Sequence, residues 1–192
     1  MISKSQLRAQ ALQARQAIPP GLLLRQSRLV EERLVSEKEY RRARAVATYV
    51  SKEDEVQTQG LIGRMLKEGK KVVVPLVDSP SKSLHFFETR GLEDLSPGRF
   101  GILEPLRRSA PVALEDCDVV LVPLVAWDEE GHRIGYGKGF FDRALASRGQ
   151  AFSIGLALES QQVQRIPADR SDVRLDMIVT ENRVLRFGGS GA

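Results

Sequence analysis

Apolar residues recur along this chain in two periods, and their succession outlines its architecture. Between residues 4 and 18, Leu7, Ala11, Ala14 and Ile18 share one face at helical spacing, and Ser3 with Gln6 resembles a capping box at the start. Pro19-Pro20-Gly21 ends that helix, and a second helical pattern over residues 22–35 directs Leu22, Leu29, Val30 and Leu34 inward. Residues 45–50, AVATYV, are short, β-branched and bounded by charge, which predicts the first strand. Glu55 and Thr58 then stand at the start of a helix that buries Leu61, Ile62, Met65 and Leu66 and stops at Gly69. Residues 71–77, KVVVPLV, have few polar breaks, the pattern of a strand buried on both faces. Strand, helix and strand at this spacing form a βαβ unit and imply a parallel sheet.

Residues 84–88 are a further candidate strand. Periodicity then fails for about thirty residues rich in Pro, Gly and charge, including SPGRFGILEPL, whose Phe100, Ile102 and Leu103 predict an ordered excursion over the sheet. Strands follow at 118–122, 152–158 and 177–180, with a helix at 139–147, an edge strand at 184–187 and a disordered tail, GGSGA, at 188–192. The expectation is one α/β domain over residues 1–187, in three layers, with a central mainly parallel sheet flanked by helices. A chain of 192 residues suits one well-buried domain and is short for two.

Composition narrows the partners. Lys and Arg number 29 against 25 Asp and Glu, a net charge of +4 that mildly favours an anionic ligand. The basic residues are scattered, with clusters only at Arg41-Arg42 and Arg107-Arg108, and no aromatic-interleaved RNA motif accompanies them. A basic isoelectric point is the sole feature that favours an RNA-associated module. Cys117 is the only cysteine, so an intrachain disulfide is impossible, and its setting before an apolar run predicts a buried structural thiol. His85 and His132 lie in unlike contexts, against a histidine-based zinc site. No apolar segment is long enough to span a bilayer, and the N-terminus is polar. A soluble, cytoplasmic protein is expected, without nucleic-acid or membrane partners.

The chemistry concentrates in residues 122–145, VPLVAWDEEGHRIGYGKGFFDRAL. Alternate glycines, Gly135, Gly137 and Gly139, enclose Lys138 just after a strand and just before a helix. Glycine lets backbone approach a phosphate closely, and lysine adds a full charge. Tight turns also need glycine, and the loop matches neither a Walker A nor a dinucleotide-binding fingerprint. Asp142 would repel bound phosphates unless a cation such as magnesium lay between them. Asp172 and Asp176 fall near the same sheet edge, where either could be a second metal ligand or serve as turn chemistry. Lys4, Arg8 and Arg15 form a basic stripe beside the buried face of the first helix, pointing into a cleft or into solvent. No convincing Ser-His-Asp or Cys-His arrangement is present.

Taken in order, Lys4 and Arg8, Glu55 with Thr58, GILEP at 101–105, VPLVAWDEEGHRIGYGKGFFD and the closing DVRLDMIVTE resemble the 5-formyltetrahydrofolate cyclo-ligase family, also called methenyltetrahydrofolate synthetase. The resemblance spans nearly the whole chain. It implies a single α/β domain that uses magnesium and ATP to convert 5-formyltetrahydrofolate to 5,10-methenyltetrahydrofolate, releasing ADP and phosphate, and a monomer. It makes Lys4, Arg8 and the run Arg133, Ile134, Gly135, Tyr136, Gly137, Lys138, Gly139, Phe140 and Phe141 the ATP contacts, with Asp142 and Asp172 as magnesium ligands. Glu55 would hold the pterin in a pocket lined by Val50, Phe100 and Phe140 and shared with Tyr136, Gly137, Lys138 and Gly139. The chain departs from the family's common pattern at Tyr136, where arginine is usual, and at Ser171, where histidine is. A non-catalytic folate- or nucleotide-binding protein of the same fold is the alternative.

Overall fold

The computed structural model describes residues 2–98, 101–106 and 110–188. Phe100 and residues 189–192 of the tail therefore lie outside the described residues. Five helices, α1 (Lys4–Gln16), α2 (Pro20–Ser36), α3 (Lys38–Arg42), α4 (Gln59–Lys67) and α5 (Phe140–Ala146), accompany the strands. β1 (Ala45–Ala47), β2 (Lys71–Asp78), β3 (Ser83–Thr89), β6 (Val119–Pro123), β9 (Phe152–Leu156), β10 (Met177–Val179) and β11 (Val184–Arg186) form a seven-stranded sheet in the order β11-β10-β9-β6-β1-β2-β3. The five inner strands are parallel, and β3 and β11 close the edges antiparallel, so the sheet is mainly parallel as its apolar runs predict. Two small hairpins stand apart from it, β4 (Leu95–Pro97) with β5 (Leu103–Pro105), and β7 (Ala126–Trp127) with β8 (Arg133–Ile134).

Alternation within each central strand separates two cores. Val46, Val72, Val74, Val119, Leu121 and Ile154 meet α2 and α4 through Leu23, Val30, Leu34, Leu61, Ile62 and Met65. Ala47, Val73, Val120, Val122 and Ile178 face the other way, onto Leu145 of α5, Trp127 and Leu175. Side chains on both faces are withdrawn from water, which is why these strands read as unbroken apolar runs. Gly155 of β9 belongs to the second face, where a Cβ would lie 2.6 Å from Leu175 and 2.9 Å from Leu124. No helix among the described residues is long and apolar enough to cross a membrane.

Three expectations change. Ala14 is exposed and Arg15 is buried, so α1 packs through Leu7, Ala11 and Arg15. In α2, Leu23 and Ser27 point inward with Val30 and Leu34, whereas Leu29 is 45% exposed; a run of three leucines leaves the helical phase undetermined. β1 ends at Ala47, although Thr48 N–H still donates to Val73 O at 2.9 Å. The irregular stretch after β3 is ordered where described: Leu95 and Leu103 join the α2/α4 core, and Val112 N–H pairs with Phe86 O at 2.8 Å.

The strand order reverses at β1. From there the chain crosses first to β2 on one side and later to β6 on the other, so β1 and β6 flank a topological switch point, the usual crevice for ligands in open α/β sheets. α1 belongs to neither helical layer. Leu7 and Ala11 pack it on Val125, Ala126, Ile134 and Ile166, placing its basic stripe beside that crevice.

Candidate active site

A cavity of about 820 Å³ opens at the carboxyl ends of β1, β2 and β6. That volume lies in the upper part of the roughly 300–1,000 Å³ range of small-molecule sites. It is lined by Lys4, Arg8, Val50, Glu55, every residue from Arg133 to Asp142, and Asp172. Each described residue to which the resemblance assigns a contact thus borders one space, although the outermost pair is separated by 168 positions. Arg143 also lines it, as do Tyr49, Lys52 and Arg170, which were not singled out from sequence.

The loop after β1 presents Glu55 through a dense set of local bonds. The Thr58 hydroxyl donates to Tyr49 O at 2.9 Å and accepts from Ser51 N–H at 3.0 Å, and the Tyr49 hydroxyl donates to Val56 O at 2.9 Å. These bonds satisfy the backbone of a loop that is itself largely buried. The Glu55 carboxylate, only 6% exposed, accepts from Lys52 N–H at 2.8 Å and from the Tyr136 hydroxyl at 2.7 Å. Burial and the adjoining Glu55 carboxylate both push the Tyr136 phenol above its usual pKa, so it remains a neutral donor. Lys52 Nζ stands 4.7 Å from the centre of the Tyr136 ring, a cation–π distance.

The glycine loop is shaped by positive φ at Gly137 (88°) and Gly139 (65°), and Gly139 immediately precedes α5. A Cβ on Gly137 would stand 3.1 Å from the Arg8 guanidinium. Both positions thus need glycine for conformation, and Gly137 also leaves room for a cation. Arg8 Nε donates to Gly135 O at 2.8 Å, fixing the loop to α1. Arg143 donates to Lys138 O at 2.8 Å and to Lys82 O at 2.6 Å, and its guanidinium lies 5.6 Å from the Phe140 ring centre.

The acidic wall is already paired with the protein's own cations. Asp142 Oδ1 accepts from Arg133 Nη2 at 2.7 Å and from Val173 N–H at 3.4 Å. Burial lowers the Arg133 pKa, and Asp142 acts against that shift. Lys4 bridges Asp172 and Asp169, the latter at 2.9 Å. Although burial opposes it, these hydrogen bonds hold the Lys4 ammonium above its usual pKa, and the Lys4 bond pulls Asp169 well below the carboxylate range. Asp176 proves structural: it accepts from Ser153 N–H at 2.8 Å, from the Ser153 hydroxyl at 2.7 Å and from Arg148 at 3.0 Å, and it lies outside the cavity lining.

Two carboxylates on one wall, without a cluster of three or more His, Cys, Asp or Glu among the described residues, form a sparse all-oxygen donor set. It suits magnesium bound largely through phosphates and water, and does not suit a structural zinc. The basic stripe of α1 faces inward. Lys4 and Arg8 line the cavity, while Arg15, 2% exposed, sits behind Tyr136.

Comparison with known proteins points to one family. Residues 1–181 match the 5-formyltetrahydrofolate cyclo-ligase family. A probable 5-formyltetrahydrofolate cyclo-ligase of Schizosaccharomyces pombe is 30% identical over 200 residues, covering 96% of this chain and 98% of the relative. The Haemophilus influenzae 5-formyltetrahydrofolate cyclo-ligase is 36% identical over 147 residues, covering 73% of this chain and 78% of the relative. The solution structure of Aquifex aeolicus 5,10-methenyltetrahydrofolate synthetase superposes with a TM-score of 0.85 at 34% identity, covering 98% of this chain and 95% of that one. With the match running from the first residue through β10, and the whole of the crevice inside it, the chain belongs to the 5-formyltetrahydrofolate cyclo-ligase family.

Proposed function

We propose that this protein converts 5-formyltetrahydrofolate to 5,10-methenyltetrahydrofolate with cleavage of ATP to ADP and phosphate. One observation carries this function beyond family membership: the glycine-lysine loop and the buried Glu55 carboxylate border the same cavity. In the reaction the formyl oxygen takes the γ-phosphoryl group and ADP leaves. The neighbouring folate nitrogen then attacks the activated carbon, the ring closes, and phosphate departs with the original oxygen. Such chemistry asks for position and charge stabilisation rather than a protein nucleophile.

Lys4, Arg8 and Lys138, with the backbone of Arg133 to Phe141, bind the nucleotide, and Glu55, Val50 and Phe140 hold the pterin. Phe100 is assigned to the same pocket by the resemblance alone. Asp142 and Asp172 would hold magnesium, which when bound neutralises charge on the phosphates. A monomeric enzyme is part of the same proposal.

Purified protein given magnesium, ATP and 5-formyltetrahydrofolate should develop the near-ultraviolet absorbance of the methenyl product. Folded protein that binds the folate yet yields no product would instead support a non-catalytic binding protein.

A further inference from the structure

Arg15 is a cation on α1, 2% exposed, which neither the glycine loop nor the ion-paired wall explains. Its Nε and Nη2 donate to Asp54 Oδ2 at 3.1 and 2.7 Å, and Nη1 reaches Leu124 O at 3.4 Å. Those bonds alone could satisfy a structural arginine. Nη2 also donates to the Tyr136 hydroxyl at 2.6 Å, and that hydroxyl lies 2.7 Å from Glu55 Oε1.

The chemistry of the three groups fixes the direction of the chain. A guanidinium can only donate, so the tyrosine oxygen must act as its acceptor. A phenol has one hydrogen, and with its oxygen engaged by Arg15 that hydrogen goes to Glu55. The other carboxylate oxygen accepts from Lys52 N–H at 2.8 Å. Each oxygen of Glu55 is therefore held by one protein donor, and each retains acceptor capacity toward the cavity. A carboxylate pinned in this way matches a ligand edge with two adjacent N–H groups.

We propose that Arg15 is a positioning residue of the folate subsite: by donating to the Tyr136 hydroxyl it commits that hydroxyl to Glu55 and fixes the carboxylate for a paired N–H edge of the substrate. This rests on the cyclo-ligase function and on Glu55 as the pterin acceptor. Arg15 itself touches no substrate.

The test is steady-state kinetics with each substrate varied, together with thermal unfolding. Arg15→Met should raise KM for 5-formyltetrahydrofolate about tenfold or more, while KM for ATP stays within about twofold, the loss expected for a hydrogen bond to a charged group. Tyr136→Phe, which removes only a hydroxyl, should show the same split, and the double variant should be no worse than the poorer single one. If Arg15→Met does not fold, Arg15→Lys keeps the charge beside Asp54 but loses the fork, and should still raise the folate KM. An unchanged folate KM in a folded Arg15 variant, equal rises in both KM values, or additive effects with Tyr136→Phe would overturn the proposal while leaving the enzymatic function intact. Wild-type protein that neither turns over nor binds the folate would overturn that function, and this role of Arg15 with it.

Discussion

The two sides of the cavity hold their charges differently. On the side proposed to hold the pterin, Arg15, Tyr136 and Glu55 form a directed hydrogen-bonded chain. On the side proposed to take the phosphates, Lys4 is engaged by Asp172 and Asp169, and Arg133 by Asp142, so the groups proposed to meet nucleotide or metal are paired with each other. Preorganised groups give orientation at little cost on binding. Internally paired groups must exchange partners when a ligand takes their place. If the proposed subsites hold, orientation is fixed where the flat ring is to be held, and charge is exchangeable where the phosphates are to bind.

The phosphate side breaks most severely. Asp142→Ala should lower turnover at least about a hundredfold, as expected when a proposed ligand of the charge-neutralising metal is removed. It should also destabilise the fold by about 3 kcal/mol, because Arg133 would be left buried without its carboxylate. Lys138→Ala should match that loss of turnover with its thermal midpoint nearly unchanged. If the two variants lost stability alike, the loop would be structural.

Smaller but more selective is Glu55→Gln. The amide keeps the shape and loses the anion, and should raise the folate KM about thirtyfold with little change for ATP, a difference of about 2 kcal/mol typical of a charged hydrogen bond. Parallel losses for both substrates would erase the distinction between the two sides. The smallest effect belongs to Asp169→Ala. Asp169 is largely exposed, so thermal stability should move by no more than about one degree. Lys4 would have one competitor fewer, and KM for ATP should fall by up to about threefold; a rise would show that Asp169 orients Lys4 for the nucleotide.

Much of this arrangement was legible in the chain. Unbroken runs such as KVVVPLV specify strands covered on both faces, and Gly-x-Gly-x-Gly around Lys138 marks a place where backbone must turn tightly. What escaped depends on partners distant in sequence. Arg15 lies on the same stripe as Lys4 and Arg8, but its burial requires Asp54, and its use requires Tyr136, 121 positions away. Asp172 and Asp176 look alike in sequence, yet Ser153 and Arg148 claim only Asp176. Tyr136 stands where the resemblance leads one to expect arginine, and in the folded chain Arg15 brings a guanidinium to its hydroxyl from α1.

The ion pair between Lys4 and Asp172 joins residues at nearly opposite ends of the chain. On a ribosome, β1, α4 and β2 are complete long before residue 172 is made. The sheet can therefore begin to form early, but the crevice gains its last wall only once residue 172 has been made. Ligand binding by a nascent chain would accordingly report the emergence of that wall rather than the onset of folding.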